Sequence, residues 1–116
     1  MFLRWEKGRQ EGSYFKMSLL PHWLSKFLNA DAYLLRFPNG CSVIKHRDPV
    51  AEGYRHYRMN IIVKRSDNPS DKMYILGPIK RFWRIDIFRP DCYYHGLKPI
   101  TGTMYMLSFG CRIKEM

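Results

Sequence analysis

The chain has 116 residues, 46% hydrophobic and 16% aromatic, which suits one modest core and argues against a disordered segment. Twenty Lys and Arg against ten acidic residues give a formal charge of +10. That excess points to nucleic acid, an anionic small molecule or an acidic protein face, unless it only keeps a small domain in solution. No apolar run approaches the ~18 residues of a membrane span, and the opening "MFLRWEKGRQEG" has no apolar export region.

In chain order, the first element is "SLLPHWLSKFLNA". Leu19, Leu20, Trp23, Leu24, Phe27 and Leu28 recur at spacings of three and four, which predicts a supporting helix over 17–29. Ser18 is placed to cap it, Pro21 suits its first turn and Asn29 its end. From residue 32 the period changes. "AYLLRF" runs into the turn Pro38-Asn39-Gly40, "CSVIKHRD" follows, and "RHYRMNIIVKR" is the longest strand, closed by the polar loop "SDNPSD". "KMYIL" stops at Gly77-Pro78, and "RFWRIDIF" alternates apolar and charged residues up to Arg89-Pro90-Asp91. "YYHGL" and "TMYMLSFGCRI" complete the set, with Gly96 and Gly102 flanking the turn between them. With no repeat or linker, residues 1–116 read as a single, mainly β domain, an antiparallel sandwich or barrel preceded by one helix.

Cys41, Cys92 and Cys111 form no CxxC pair and are odd in number. They read as reduced thiols packed in a core, which places the protein in the cytoplasm.

The chemistry lies in charged residues within strands. In His46-Arg47-Asp48, alternation sends His46 and Asp48 to one face and Arg47 to the other. An imidazole nitrogen and a carboxylate oxygen on one face chelate a metal. A second imidazole completes a facial triad with open coordination positions, as in non-haem Fe(II) oxygenases. His95, on a late strand beside a turn, is the first candidate; His56, among cations at a strand start, and His22, on the helix, compete with it. A surface His-x-Asp and a histidine at the core edge are the plain structural alternative.

From "LLRFPNGCSVIKHRDP" through "HYRMNIIVKR" to "IFRPDCYYHGLKPITGTMYMLSFG", over residues 32–112, the chain resembles the Fe(II)- and 2-oxoglutarate-dependent dioxygenases. The likeness is to their prolyl-hydroxylase-like and small phage or bacterial branches. The resemblance implies a double-stranded β-helix, or jelly-roll, with Fe(II) on His46, Asp48 and His95. It also implies 2-oxoglutarate and O2 as cosubstrates and C–H hydroxylation as the outcome.

The sequence departs from that pattern once. The family's late strand carries an Arg, in some members a Lys, that pairs with the far carboxylate of 2-oxoglutarate. Here the run is "GTMYMLS", and Met104 stands in that place, where a thioether holds no carboxylate. Alternation along "HYRMNIIVKR" puts Arg58, Asn60 and Ile62 on one face. Facing inward, Arg58 and Asn60 need partners, and a dicarboxylate supplies them. The competing arrangement has Arg58 in solvent or paired with Asp86; Arg112 is a second cation for the same task.

Tyr93 and Tyr94 either shape a substrate pocket or divide between core and surface. Trp83 is expected in the core. Lys80, Arg81, Arg84 and Arg89 form a basic patch that guards an edge strand or contacts phosphates. The chain is thus expected to be an Fe(II)/2-oxoglutarate oxygenase acting on a nucleic acid, an acidic protein or another substrate, away from membranes. The alternative is a non-catalytic jelly-roll that binds such a partner.

Overall fold

The computed structural model describes residues 3–7, 14–48, 50–68, 71, 73–76 and 79–114. In chain order its elements are β1 (Glu6–Lys7), β2 (Phe15–Ser18), α1 (His22–Leu28), β3 (Ala30–Phe37), β4 (Val43–His46) and β5 (Tyr54–Lys64). They are followed by β6 (Tyr74–Ile75), β7 (Lys80–Phe82), β8 (Ile85–Phe88), β9 (His95–Leu97) and β10 (Met104–Lys114).

The long alternating segments dominate. β10 pairs antiparallel with β3, Met104 opposite Phe37, and with β5, Ser108 opposite Asn60. Around this centre runs a seven-stranded sheet in the order β1-β2-β3-β10-β5-β8-β7. The short strands form a second sheet, β4-β9-β6. Inward residues of both sheets meet in one cluster: Phe37, Val43, Ile62, Leu97, Met104 and Met106, each at most 8% exposed. Removing such surfaces from water drives the two sheets together. The molecule is mainly β, antiparallel throughout its described pairings, with one short helix.

The helix differs from the expectation. It spans His22–Leu28, has no buried residue and has no side-chain cap. Met17 and Ser18 belong instead to β2, opposite Leu34 and Tyr33, so strand pairing with β3 claims the start of the periodic segment. Ser18 Oγ donates to the Leu20 carbonyl, and Pro21 takes the N-cap position. Asn29 does end the helix, in the left-handed conformation (φ 51°) that an amide side chain tolerates. Trp23, Phe27 and Leu28 are 69%, 80% and 52% exposed and only Leu24 of the helix's apolar residues is half-buried, so most of that face is open.

Two further expectations change. "RFWRIDIF" is a hairpin, β7–β8, and Trp83 at its tip is 78% exposed instead of buried. Cys41 is buried, but Cys92 is exposed and Cys111 half-buried; none of the three is in a disulfide. The Gly77-Pro78 stop and part of the 66–71 loop lie outside the described residues. No described helix is long and apolar enough to cross a membrane.

Phe37, 1% exposed, and Trp23 test this division. In urea unfolding, Phe37→Ala is expected to cost roughly 3–5 kcal/mol. Trp23→Ala is expected to stay within about 0.5 kcal/mol of wild type.

Candidate metal centre

β4 is irregular in a way that aims His46. Val43 lies opposite Leu97 and His46 opposite His95, so three residue steps on β4 match two on β9. The extra residue is a β-bulge. Strict alternation from the buried Val43 would turn His46 outward. The bulge instead leaves Ile44 and Lys45 both exposed and returns His46 to the interior. His46 and His95 are then direct cross-strand partners, their ring centroids 4.4 Å apart.

Asp48 follows just past the strand, where its N–H donates to the Pro90 carbonyl at 2.8 Å. Pro90 sits in the β8–β9 connection, so this bond ties the two ligand-bearing segments together. Asp48 Oδ1 is 3.4 Å from His46 Nε2, and Oδ2 is 3.3 Å from His95 Nε2. One ligand atom from each residue lies within 4.8 Å of the other two, within reach of a single ion.

The rings are held from behind. His46 Nδ1 is 2.6 Å from the Ile44 carbonyl and His95 Nδ1 is 3.2 Å from the Tyr93 carbonyl. A carbonyl only accepts, so Nδ1–H donates in each ring; Nε2–H donates to Asp48 in the protonated ring, and the neutral ring presents a bare Nε2 lone pair instead. Burial alone would raise the Asp48 carboxyl, yet hydrogen bonds to His46 and His95, with their charge, outweigh it and hold it well below the usual range. Burial likewise works to lower His46, and the Asp48 hydrogen bond, the Ile44 carbonyl and the Asp48 charge reverse it. Asp48 is therefore an ionised acceptor between two imidazoles, a donor set suited to a divalent transition metal. Phe88 closes one side, its ring 5.2 Å from that of His95.

A cavity of about 320 Å³ is lined by the triad and also by Lys16, Asp31, His56, Arg58, Ser108 and Arg112. Arg58 does face inward with Asn60 and Ile62, as alternation requires. Its Nη1 donates to Ser108 Oγ (2.6 Å) and its Nη2 to Asp31 Oδ1 (2.7 Å) and His56 Nε2 (3.3 Å). Asp31 Oδ2 also accepts from Arg112 Nη1 at 3.3 Å. Asn60 accepts from Ser108 Oγ at 2.6 Å and donates to Met73 Sδ at 3.6 Å. Gly110 leaves room for this cluster, because a Cβ there would run into the Arg58 guanidinium.

Arg58 pairs with Asp31, not Asp86, whose carboxylate is taken by Arg81 at 2.7 Å. Among the described residues no buried side-chain nitrogen or oxygen lacks a partner, so burial of Arg58 and Asn60 does not by itself demand a ligand. Met104 is fully buried in the core and does not line the cavity. His22 is exposed on the helix, and His56, though in the cavity, stands with Arg58 and outside the triad. Tyr93 and Tyr94 are both on the surface, 45% and 41% exposed. Sequence reasoning missed Asp31; the one signal for it was a lone carboxylate in the apolar run "ADAYLLRF".

No protein-family model and no curated protein matches this sequence. Solved structures match in fold. A prolyl-4-hydroxylase from Pseudomonas putida aligns with a TM-score of 0.68 over 97% of this chain and 78% of its own, at 11% identity. A predicted oxalate decarboxylase from Thermotoga maritima gives 0.63 over 96% and 92%, at 14% identity. A cupin-2 domain from Rhodospirillum rubrum gives 0.62 over 94% and 69%, at 12% identity. Likeness at these identities shows a jelly-roll fold and leaves the chemistry to the residues.

His56 gives a pH test. Burial first, then the Arg58 charge, pushes its pKa down to about 4. The native ring stays neutral where the unfolded ring takes a proton, so stability falls as pH drops from about 6.5 toward the folded value. Over pH 6.5 to 4.5, His56→Asn is expected to flatten the decline of unfolding free energy, by less than the ~1.4 kcal/mol per pH unit of one full proton. An unchanged slope in urea titrations would exclude a neutral buried His56.

Proposed function

We propose that the chain is an Fe(II)-dependent oxygenase that takes 2-oxoglutarate as cosubstrate and hydroxylates a C–H bond in the reducing cytoplasm. His46 Nε2, Asp48 and His95 Nε2 hold the metal, and a facial set of three leaves positions for cosubstrate and O2. When bound, iron and cosubstrate supply the activation of O2.

The chain's own residues do the rest. The Ile44 and Tyr93 carbonyls fix both rings for ligation through Nε2. Phe88 walls His95 from water. Asn60 orients the Ser108 hydroxyl, which in turn steadies Arg58. Asp31 bridges Arg58 and Arg112 and so keeps two like charges side by side. Arg58, backed by Asn60, receives the far carboxylate of the cosubstrate in place of the Arg that Met104 displaces.

The observation that carries this reading is the lining of one cavity: the triad, together with Lys16, Arg58 and Arg112 against a single further carboxylate, Asp31. A small dicarboxylate matches that balance of charge. A fold shared with a prolyl-4-hydroxylase supports it. Met104 and the hold of Asp31 on Arg58 favour one other reading, a jelly-roll that keeps a metal site but works by docking on an acidic protein or nucleic acid.

Under anaerobic conditions the protein is expected to bind one Fe(II) and then to develop a visible charge-transfer band on addition of 2-oxoglutarate. His46→Ala and His95→Ala are expected to lose metal uptake with an unchanged circular dichroism spectrum. Arg58→Met is expected to keep the metal and to weaken cosubstrate about ten-fold or more in the same titration. Metal uptake with no band at any cosubstrate concentration selects the docking reading. Unchanged metal content in both histidine variants removes the triad.

A further inference from the structure

The seven-stranded sheet ends in the β7–β8 hairpin, whose tip is built unlike an ordinary turn. Only Trp83 and Arg84 separate Phe82 from its pairing partner Ile85. Trp83 has a φ of 50°. In a two-residue hairpin such a left-handed position goes to glycine, asparagine or aspartate, because a bulky side chain there is strained. No burial offsets that strain, since the ring is 78% exposed. The neighbouring Phe82 is 46% exposed.

The tip is nevertheless well tied. Ile62 N–H donates to the Arg84 carbonyl (2.9 Å), Arg84 Nη1 to the Val63 carbonyl (3.4 Å) and Ile79 N–H to the Ile87 carbonyl (2.8 Å). A strained, exposed and anchored aromatic residue marks a binding feature better than a folding one.

Its surroundings are cationic. Arg84 lies over the Trp83 ring at 5.2 Å, and Lys80 Nζ over the Phe82 ring at 5.4 Å. Lys64 and the exposed Arg65 follow Val63 at the end of the adjoining β5. Among the described residues none of Lys64, Arg65, Lys80 and Arg84 is in an ion pair. Arg81 and Arg89, the other cations expected in this patch, are neutralised by Asp86 and Asp91. They drop out of it.

We infer that this tip binds single-stranded nucleic acid, bases stacking on Trp83 and Phe82 and phosphates meeting Lys64, Arg65, Lys80 and Arg84. An acidic peptide would use the cations alone. Two exposed rings, one held against its backbone preference, fit a ligand with flat π faces as well as negative charge. The site stands apart from the metal centre and does not depend on what that centre does.

The test uses the full chain and a fluorescent oligothymidylate of about 16 nucleotides, read by anisotropy at low salt. Binding that weakens steeply with added salt is expected. Trp83→Gly relieves the strained φ, so its Tm is expected not to fall, while affinity drops roughly ten-fold. Replacing Lys64 and Arg84 with Gln is expected to make the salt dependence shallower. No binding at low salt overturns the inference. So does polyglutamate competing as well as the oligonucleotide with Trp83→Gly unchanged in affinity, which would assign the patch to acidic proteins.

Discussion

Three residue steps along β4 set against two along β9 decide where the candidate metal ligands stand. Without that bulge His46 would share the outer face with Ile44, and His95 would face the interior alone. With it, two imidazoles become cross-strand neighbours at the edge of a closed core. The bulge also supplies its own support, because an extra residue leaves the hydrogen-bond ladder and the Ile44 carbonyl accepts from the His46 ring. Everything else at the centre follows from this mismatch. Asp48 reaches both rings only because the chain leaves β4 there and is caught by Pro90.

The cavity holds two carboxylates that are flanked alike and behave differently. Asp48 lies between two imidazoles, Asp31 between two guanidiniums. An imidazole nitrogen can carry either a proton or a metal ion, so a cation can take the place of the hydrogen bonds around Asp48. A guanidinium offers only donors and no lone pair to a metal, so the Asp31 bridge is a purely structural contact. One end of the polar network is thus made to exchange its partners, and the other to hold its shape. His56, kept neutral beside Arg58, avoids adding a third positive charge to that fixed group.

The sequence was legible wherever the effect is local. Alternation identified the long strands and the shared face of Arg58, Asn60 and Ile62, and the His-x-Asp spacing put two members of the triad on one face. Long-range pairing was harder to read. Asp31 sits 27 residues before Arg58, and nothing in either segment announces the contact. Asp86 looked the natural partner across the sheet, since it does lie opposite Asn60, but Arg81 reaches it from the hairpin. The helix was overextended because periodicity counts apolar spacing and cannot see that β3 offers Met17 and Ser18 a pairing edge. Trp83 was misplaced for a similar reason: alternation passes straight through a two-residue turn when neither residue is glycine. The bulge in β4 left no mark in the sequence at all, yet the His46 assignment needs it.

The most direct test of this account is the X-ray absorption spectrum of the Fe(II)-loaded protein. Convergence of His46, Asp48 and His95 predicts an inner shell of nitrogen and oxygen only, with the outer-shell scattering of two imidazoles. A sulfur scatterer, which would bring Cys41, Cys92 or Cys111 into the site, or the signature of a single imidazole, would contradict it.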